Sequence, residues 1–376
     1  MSSVVFILGA GASQQCGAPL MADFLDVATH LHRSGNADEK SEDFERVFKA
    51  IGKLQAVHSK AQLDLTNIES IFSTLEIARI LRKLPGHYKA EEIPKVISSL
   101  KELIVKTLEI TIRFPIIGSV ISVPSPTPVK GSIVGVPSPY DEFTKLLKYL
   151  RDEATPRHTV SIITFNYDIA ADMALYRAGM GPDYGINISP IAPESGISDP
   201  VLLLKLHGSL NWGAREDGGA YPLPLEEYFS DKTTFNNGGG FCKVPIGSQI
   251  KEYISKLTPI KMKTEPFLVP PSWNKADHHQ GLSEVWAKAA RQLEETEYIF
   301  IIGYSLPETD AFFRQLYALG TVGQYPLRKI VVYNPDATGQ VDARFQGMLG
   351  PGAAARYEYR REMFHLAIPD IKRFFK

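Results

Sequence analysis

Five short runs dominate what this chain can fold into: residues 4–8, 160–165, 201–207, 298–302 and 329–333. Each has the length of a strand, is rich in Val, Ile, Leu and aromatic residues, and lacks the strict apolar–polar alternation of a strand with one wet face. Strands buried on both faces read this way, and they belong to parallel sheets covered by helices. Helical spacing follows three of them: Met21, Phe24, Leu25 and Val27 after the first, residues 169–178 after the second, and 312–319 after the fourth. Strands alternating with helices predict an α/β fold, a doubly wound Rossmann-like parallel sheet.

Two long stretches interrupt that alternation and predict helical and loop insertions. In residues 31–112 the spacing of Phe44, Val47, Phe48 and Ile51, and of Ile68, Ile71, Phe72 and Leu75, predicts amphipathic helices. Residues 114–139 are rich in Pro, Ser, Gly and Val, which predicts an extended loop or loose hairpin. Residues 213–290, with Gly238-Gly239-Gly240, predict a second excursion carrying loops near the site. The expected organisation is a nucleotide-binding domain made of residues 1–30, 140–212 and 291–376, with insertions at 31–139 and 213–290. A helix is expected over 363–375.

Composition narrows the function. The 376 residues carry 41 Lys and Arg against 42 Asp and Glu, a net charge of -1. That balance argues against nucleic acid as the main ligand. A small group of lysines, 251, 256, 261 and 263, reads as a solvated face. With only Cys16 and Cys242, neither a disulfide framework nor a four-cysteine zinc site can be built. His278 and His279 beside Asp277 are adjacent on a loop and form no chelating set, so no metal is expected. The N-terminus has no basic region before its apolar run and reads as a strand rather than a signal peptide. No apolar run reaches membrane-spanning length. A cytoplasmic, soluble protein is expected.

The candidate site lies where the runs stop. Residues 4–8 lead into Gly9-Ala10-Gly11-Ala12-Ser13, a strand-to-helix turn able to hold a pyrophosphate on backbone N–H groups. The third glycine of the dehydrogenase fingerprint is replaced by Gln14, and a turn that merely needs glycine freedom is the alternative, but at the first strand of a doubly wound sheet the nucleotide reading is favoured. Residues 160–165 lead into Asn166-Tyr167-Asp168, and 201–206 into His207-Gly208-Ser209. Ligands of open α/β sheets sit beyond the carboxyl ends of the strands, so Asn166, Asp168 and His207 are candidate catalytic residues. Helix capping competes for Asp168, and for Ser305 and Asp310 before the 312–319 helix. Glu69 and Glu76 fall on one helix face two turns apart and suit a paired carboxylate facing a cleft, with a solvated face as the plainer reading. Trp212 and Trp273 suit either a pocket wall or the core.

The turn at 9–13, the segment Thr164-Phe165-Asn166-Tyr167-Asp168, Leu206-His207-Gly208, Gly303-Tyr304-Ser305-Leu306 and Val332-Tyr333-Asn334-Pro335-Asp336 occur in that order. Together they resemble the sirtuin superfamily, and look closest to the SIR2-like proteins of bacterial antiphage defence. The resemblance covers the strand-bearing half of the chain. It implies that Gly9, Ala10, Gly11, Ala12 and Ser13 hold the NAD pyrophosphate, and that Asn166 and Asp168 position the nicotinamide end and its attacking water. His207 would be the general base, with Gly303, Ser305 and Asn334 at the adenosine half. Two departures count against protein deacylation. Only Cys242 lies where deacetylating sirtuins carry a four-cysteine zinc module, and Pro19-Leu20-Met21-Ala22-Asp23-Phe24-Leu25 lacks the arginine of their Pro-Asp-Phe-Arg segment.

Cleavage of the nicotinamide–ribose bond has an oxocarbenium-like transition state akin to glycoside hydrolysis. It needs a held carboxamide, a negative group and a base, which Asn166, Asp168 and His207 supply. The expected function is an NAD+ glycohydrolase that releases nicotinamide and ADP-ribose as a defence effector, with NAD+ as substrate and no metal. The alternatives are a protein deacylase or ADP-ribosyltransferase, and a non-catalytic NAD or ADP-ribose sensor. The resemblance also implies a homo-oligomer, with a HerA-like ATPase or an Argonaute as possible partner. The apolar helices of 31–112 are the expected contact surface, with packing onto the sheet as the plainer explanation.

Overall fold

The computed structural model describes residues 2–117, 133–186, 199–223, 225, 234–235, 240–250, 262–269, 279–307, 310–323 and 325–376. Its centre is a sheet of seven strands: β1 (Ser2–Leu8), β2 (His158–Thr164), β3 (Pro182–Asp183), β4 (Val201–Lys205), β5 (Tyr298–Ile302), β6 (Lys329–Tyr333) and β7 (Tyr357–Arg360). Their order is β7-β6-β5-β1-β2-β4-β3, and every neighbouring pair is parallel. From β1 the chain adds strands on one side, then returns to add β5 to β7 on the other. This is the doubly wound arrangement, with its switch point between β1 and β5.

Both faces of the sheet are buried, which is why its strands are apolar without alternation. Val4, Phe6 and Leu8 face one core cluster, and Val5 and Ile7 the other. On the first face Phe6 meets Phe143 at 5.0 Å and Phe300 meets Phe374 at 5.7 Å, and the helices of the 31–112 stretch join the same core cluster. Among the helices in chain order are α1 (Ala10–Ser13), α2 (Phe24–Arg33), α3 (Ser41–Leu54), α4 (Ile68–Leu81), α5 (Ile93–Thr111), α6 (Tyr140–Lys148) and α7 (Ala170–Arg177). They continue with α8 (His279–Glu294), α9 (Ala311–Gly320), α10 (Gln340–Gln346) and α11 (Phe364–Arg373). Phe44, Val47, Ile68, Ile71, Phe72 and Leu75 are buried in the same cluster as β1. Their apolar faces therefore pack inward, while Ile77, Ile80 and Leu81 at the end of α4 stay exposed. The opposite face is covered by α8, α9 and α10 through Val285, Phe313 and Phe345.

Several expected boundaries move, each for a local reason. The first helix does not run through Met21: α1 stops after one turn, and the chain bends at Gly17, whose φ of 101° is left-handed. The 201–207 run ends as strand at Lys205; Leu206 and His207 turn, and Gly208, with φ of 85°, starts the antiparallel strand Gly208–Arg215. That strand pairs with Ala220–Pro222 and Met262–Leu268, so this part of the second excursion is a small sheet. Within the stretch expected to be an extended loop or loose hairpin, Phe114–Ile117 pairs antiparallel with Ile133–Val134 and also with Phe241–Lys243. The final helix is the shorter Phe364–Arg373. No helix of the described residues is long and apolar enough to cross a membrane. Residues 238–239, Lys251, Lys256, Lys261, Trp273 and Asp277-His278 lie outside the described residues, whereas Lys263 is exposed.

Candidate active site

Parallel register delivers the polar residues to one edge. Leu8 pairs with Thr164 on one side and Ile302 on the other, Thr164 with Lys205, and Ile302 with Tyr333. The residues that follow these strand ends therefore gather in one row: Gly9, Phe165, Leu206, Gly303 and Asn334. A cavity of about 300 Å³ opens there, at the lower end of the range for ligand pockets, roughly 300–1,000 Å³. Its wall takes Ala10 and Gly11 from the first turn, Asn166 and Asp168 from beyond β2, Gly303 and Ser305 from beyond β5, and Asn334 from beyond β6. The fourth side comes from the helical insertion, through Asn67, Glu69 and Phe72 of α4 and Leu108 of α5.

The glycine turn is shaped first by the loop beside it. Gly11 N–H donates to Gly303 O at 2.9 Å, and Gly9 N–H to Ile302 O at 3.0 Å. A Cβ on Gly9 would lie 2.5 Å from the Tyr304 Cα, and one on Gly11 2.8 Å from the Gly303 Cα. Gly303 has a φ of 64°, and its own Cβ would fall 2.3 Å from Ala12 N. Three glycines let two backbones touch at the switch point. Since the Ala12 N–H also donates to Gly9 O, the amides of Gly9, Gly11 and Ala12 are already engaged, while Ala10 and Gly11 line the cavity. Gly9, Ala12 and Ser13 are buried behind them.

Asn166 is locked onto that turn. Its Nδ2 donates to Gly9 O at 2.9 Å and to Ser13 Oγ at 3.2 Å. Both amide hydrogens are thus used, and the carbonyl Oδ1 is what this side chain offers a ligand. The buried Ser13 hydroxyl also bonds the Tyr140 hydroxyl at 2.9 Å. Asp168 accepts the Ala170 N–H at 2.9 Å, so it does support the start of α7. It lines the cavity as well, and the two roles coexist. Burial pushes its carboxyl above the ordinary range, against the pull of Lys205, the Ala170 amide and the Ser13 hydroxyl, with Asp172 adding to the rise.

Under Asp168 lies a charge pair that reading the motifs had not singled out. Lys205, at the end of β4, is 1% exposed. Its ammonium donates to Asp172 Oδ2 at 2.8 Å and to the Asp168 carbonyl at 2.5 Å. The Tyr184 hydroxyl donates to Asp172 Oδ1 at 2.7 Å and accepts from Asn211 at 2.9 Å. The available signal was a lone charge inside Leu202-Leu203-Leu204-Lys205-Leu206.

His207 is not on the cavity wall. It is 1% exposed and packs edge-on against Phe165, ring centres 5.2 Å apart, and beside Tyr167 at 6.3 Å. Both of those rings do line the cavity, so the imidazole sits one layer behind. Phe165 in turn stacks on Tyr304 at 4.5 Å. Ser305 lines the cavity but does not cap α9; Asp310 does, accepting the Phe313 N–H, while its other oxygen takes the Tyr304 hydroxyl at 2.6 Å. Asn334 Nδ2 reaches the Tyr304 carbonyl at 3.4 Å, and its Oδ1 accepts the Asp336 N–H.

Other expectations resolve differently. Glu69 and Glu76 are not a solvated face: Glu69 lines the cavity, and Glu76 is buried and paired with Arg79 at 2.9 Å. Trp212 is core, fully buried against Tyr184. None of the described residues of 213–290 lines the cavity.

No protein-family model and no curated protein matches this chain. Among solved structures, it is similar to a Sir2 homologue in complex with NAD, at 13% identity and a TM-score of 0.36, covering 99% of this chain and 89% of that one. It is similar to Sir2Tm bound to a propionylated peptide, at 11% identity and a TM-score of 0.36, over 99% and 92% of the two chains. A structure described under "The structural basis of sirtuin substrate affinity" gives 12% identity and 0.37, over 100% and 94%. Likenesses this low decide neither the family nor the function of the chain.

Proposed function

We propose that this protein is an NAD+ glycohydrolase of SIR2-like type, cleaving NAD+ to nicotinamide and ADP-ribose. The observation that carries the reading is the cavity at the switch point, where Asn166 and Asp168 meet a glycine turn, Ser305 and Asn334 along one sheet edge. A dinucleotide binds across such a switch point. The Asn166 Oδ1 would accept from the nicotinamide carboxamide, and Asp168 would hold that end of the ligand. Nicotinamide leaves as a neutral molecule, so the departing ring needs no proton. The strand-bearing residues 1–30, 140–212 and 291–376 would form the NAD-binding unit, with 31–139 and 213–290 as insertions.

The setting proposed for this activity is antiphage defence in the cytoplasm, in a homo-oligomer, with a HerA-like ATPase or an Argonaute as the candidate partner. Light scattering across a dilution series tests the assembly: a monomer at every concentration with full turnover refutes it. The decisive experiment for the activity is incubation of the purified protein with NAD+ and chromatographic detection of nicotinamide. Asn166→Ala should then lose about 10²–10⁴-fold, the usual effect of removing a positioned polar catalytic group. Binding of NAD+ without any release of nicotinamide would favour the sensor reading, which the enclosed position of His207 supports. A propionylated or acetylated peptide consumed together with NAD+ would favour the deacylase reading.

A further inference from the structure

We propose that a second cavity, walled by α4, α5 and the small antiparallel sheet, binds a small phosphorylated molecule. The inference goes beyond the glycohydrolase reading and does not depend on it. The cavity measures about 410 Å³, within the roughly 300–1,000 Å³ of ligand sites. It shares no described lining residue with the cavity at the sheet edge. The helix α4 serves both: Glu69 and Phe72 line the first, and Glu76 and Arg79, further along, line the second.

The second wall gathers cations that the first lacks. Arg79 comes from α4, Lys101 from α5, Arg215 from the end of Gly208–Arg215 and Lys263 from Met262–Leu268. Among the described lining residues of the first cavity there is no Lys or Arg. Antiparallel pairing fixes part of this convergence, since Met262 lies opposite Arg215. Two carboxylates, Glu76 and Glu265, share the wall. Glu76 pairs with Arg79 at 2.9 Å, and Arg215 pairs with Asp217 beside the wall. Those contacts balance two of the four cations.

The two lysines carry the inference. Lys101 is 12% exposed, and its ion-pair partner Glu265 stands 3.6 Å away, beyond hydrogen-bond length. Its ammonium makes no hydrogen bond to a described residue. An ammonium has three donors, and burying a charge without hydrogen bonds is costly, so Lys101 is poised to donate to an anion that enters the cavity. Lys263 lies on the same wall, exposed and without an ion-pair partner among the described residues. Ser98, one turn before Lys101, adds a hydroxyl. Two ammonium groups facing the single carboxylate of Glu265 select a ligand with more than one negative charge. A phosphate or pyrophosphate group supplies that charge together with several acceptor oxygens. Pro94, Ile97 and Leu268 make the rest of the wall apolar, which suits the uncharged body of a phosphate ester.

The test is calorimetric titration of the full chain with inorganic pyrophosphate, and with succinate as a carboxylate dianion. Wild type should bind pyrophosphate and not succinate at the same concentrations. Lys101→Met should weaken pyrophosphate by about 10–100-fold, the loss of one charged hydrogen-bond donor, whereas Lys101→Arg keeps the charge and should retain binding. Lys263→Glu reverses a charge at an exposed position, and should weaken binding at least about tenfold with an unchanged circular dichroism spectrum. If Lys101→Met loses its fold, Lys263→Glu decides. Asn166→Ala alters the other cavity and should leave the lysine-dependent binding intact. No pyrophosphate binding to wild type, or binding that both lysine variants retain, overturns the site. Succinate bound as tightly as pyrophosphate overturns phosphate as the ligand class. NAD+ turnover enters none of these readouts, so failure here and failure of the glycohydrolase reading are told apart.

Discussion

Replacing Lys205 by Met removes the cation from a pair in which Lys205 is 1% exposed and Asp172 fully buried. Asp172 then keeps one donor, the Tyr184 hydroxyl at 2.7 Å, and the Asp168 carbonyl loses the donor it had at 2.5 Å. Breaking a buried pair from one side typically costs about 3–5 kcal/mol, because the remaining charge stays buried. The lost bond to the carbonyl adds about 1 kcal/mol. With a urea m-value of about 3 kcal/mol/M for a chain of this size, the unfolding midpoint should fall by roughly 1.3–2 M. The double variant Lys205→Met with Asp172→Leu should recover most of that loss, since well-packed apolar replacements of a buried pair are often neutral. Tyr184 keeps Asn211 as a partner in that background, through a bond of 2.9 Å. Equilibrium urea unfolding followed by far-ultraviolet circular dichroism measures all four corners of the cycle. A single-variant loss under about 1 kcal/mol, or a double variant as unstable as the sum of the two singles, would refute the reasoning.

Three further outcomes are expected. Gly303→Ala places a Cβ 2.3 Å from Ala12 N at a φ of 64°, and left-handed strain plus a backbone clash should cost roughly 2–5 kcal/mol in urea unfolding; Gly350→Ala, with nothing within 4 Å of its Cβ, should be near neutral, and equal effects would contradict the close-approach account. Burial pushes the Glu109 carboxyl from 4.5 up to about 7 despite bonds from the Gly247 and Ser248 amides. The folded state therefore binds the extra proton, its stabilisation is complete below 4.5, and it is lost as the pH rises to about 7, on the order of 3 kcal/mol in all; Glu109→Gln should flatten that slope, and an unchanged slope would exclude Glu109 as its source. Cys16 and Cys242 are both buried, and burial raises both thiols, Cys242 to about 11. Neither should react with Ellman's reagent at mildly alkaline pH until the protein is unfolded, and a rapid native-state thiol would contradict this.

The sheet was legible because short, β-branched apolar runs bounded by glycine or polar residues and followed by helical spacing point to strands covered on both faces. The runs around Phe6, Ile162, Leu203, Phe300 and Val331 all became neighbours in one parallel sheet. Because each run ends at a polar residue or glycine, the row holding Gly9, Asn166, Gly303 and Asn334 could be anticipated as well. Glu69 left two readings open because a carboxylate at helical spacing reads the same whether its face meets water or a cavity; the placement of α4 beside the strand ends decided for the cavity. Lys205 escaped for the opposite reason. Its partner Asp172 lies on a helix 33 residues away, and only the contact between β4 and α7 pairs them.

The sequence by itself determined the doubly wound sheet and the edge at which its polar residues gather, since hydrophobic periodicity and strand-end chemistry are local properties of the chain. Only the tertiary structure decided which of those residues face the cavity. His207 and Asn166 both follow apolar strands, but Phe165 and Tyr167 close over the imidazole, whereas the Asn166 amide is drawn onto the glycine turn by Gly9 and Ser13. Which side chain is covered depends on rings and helices brought from distant segments, and that packing leaves no periodic trace in the segment it covers.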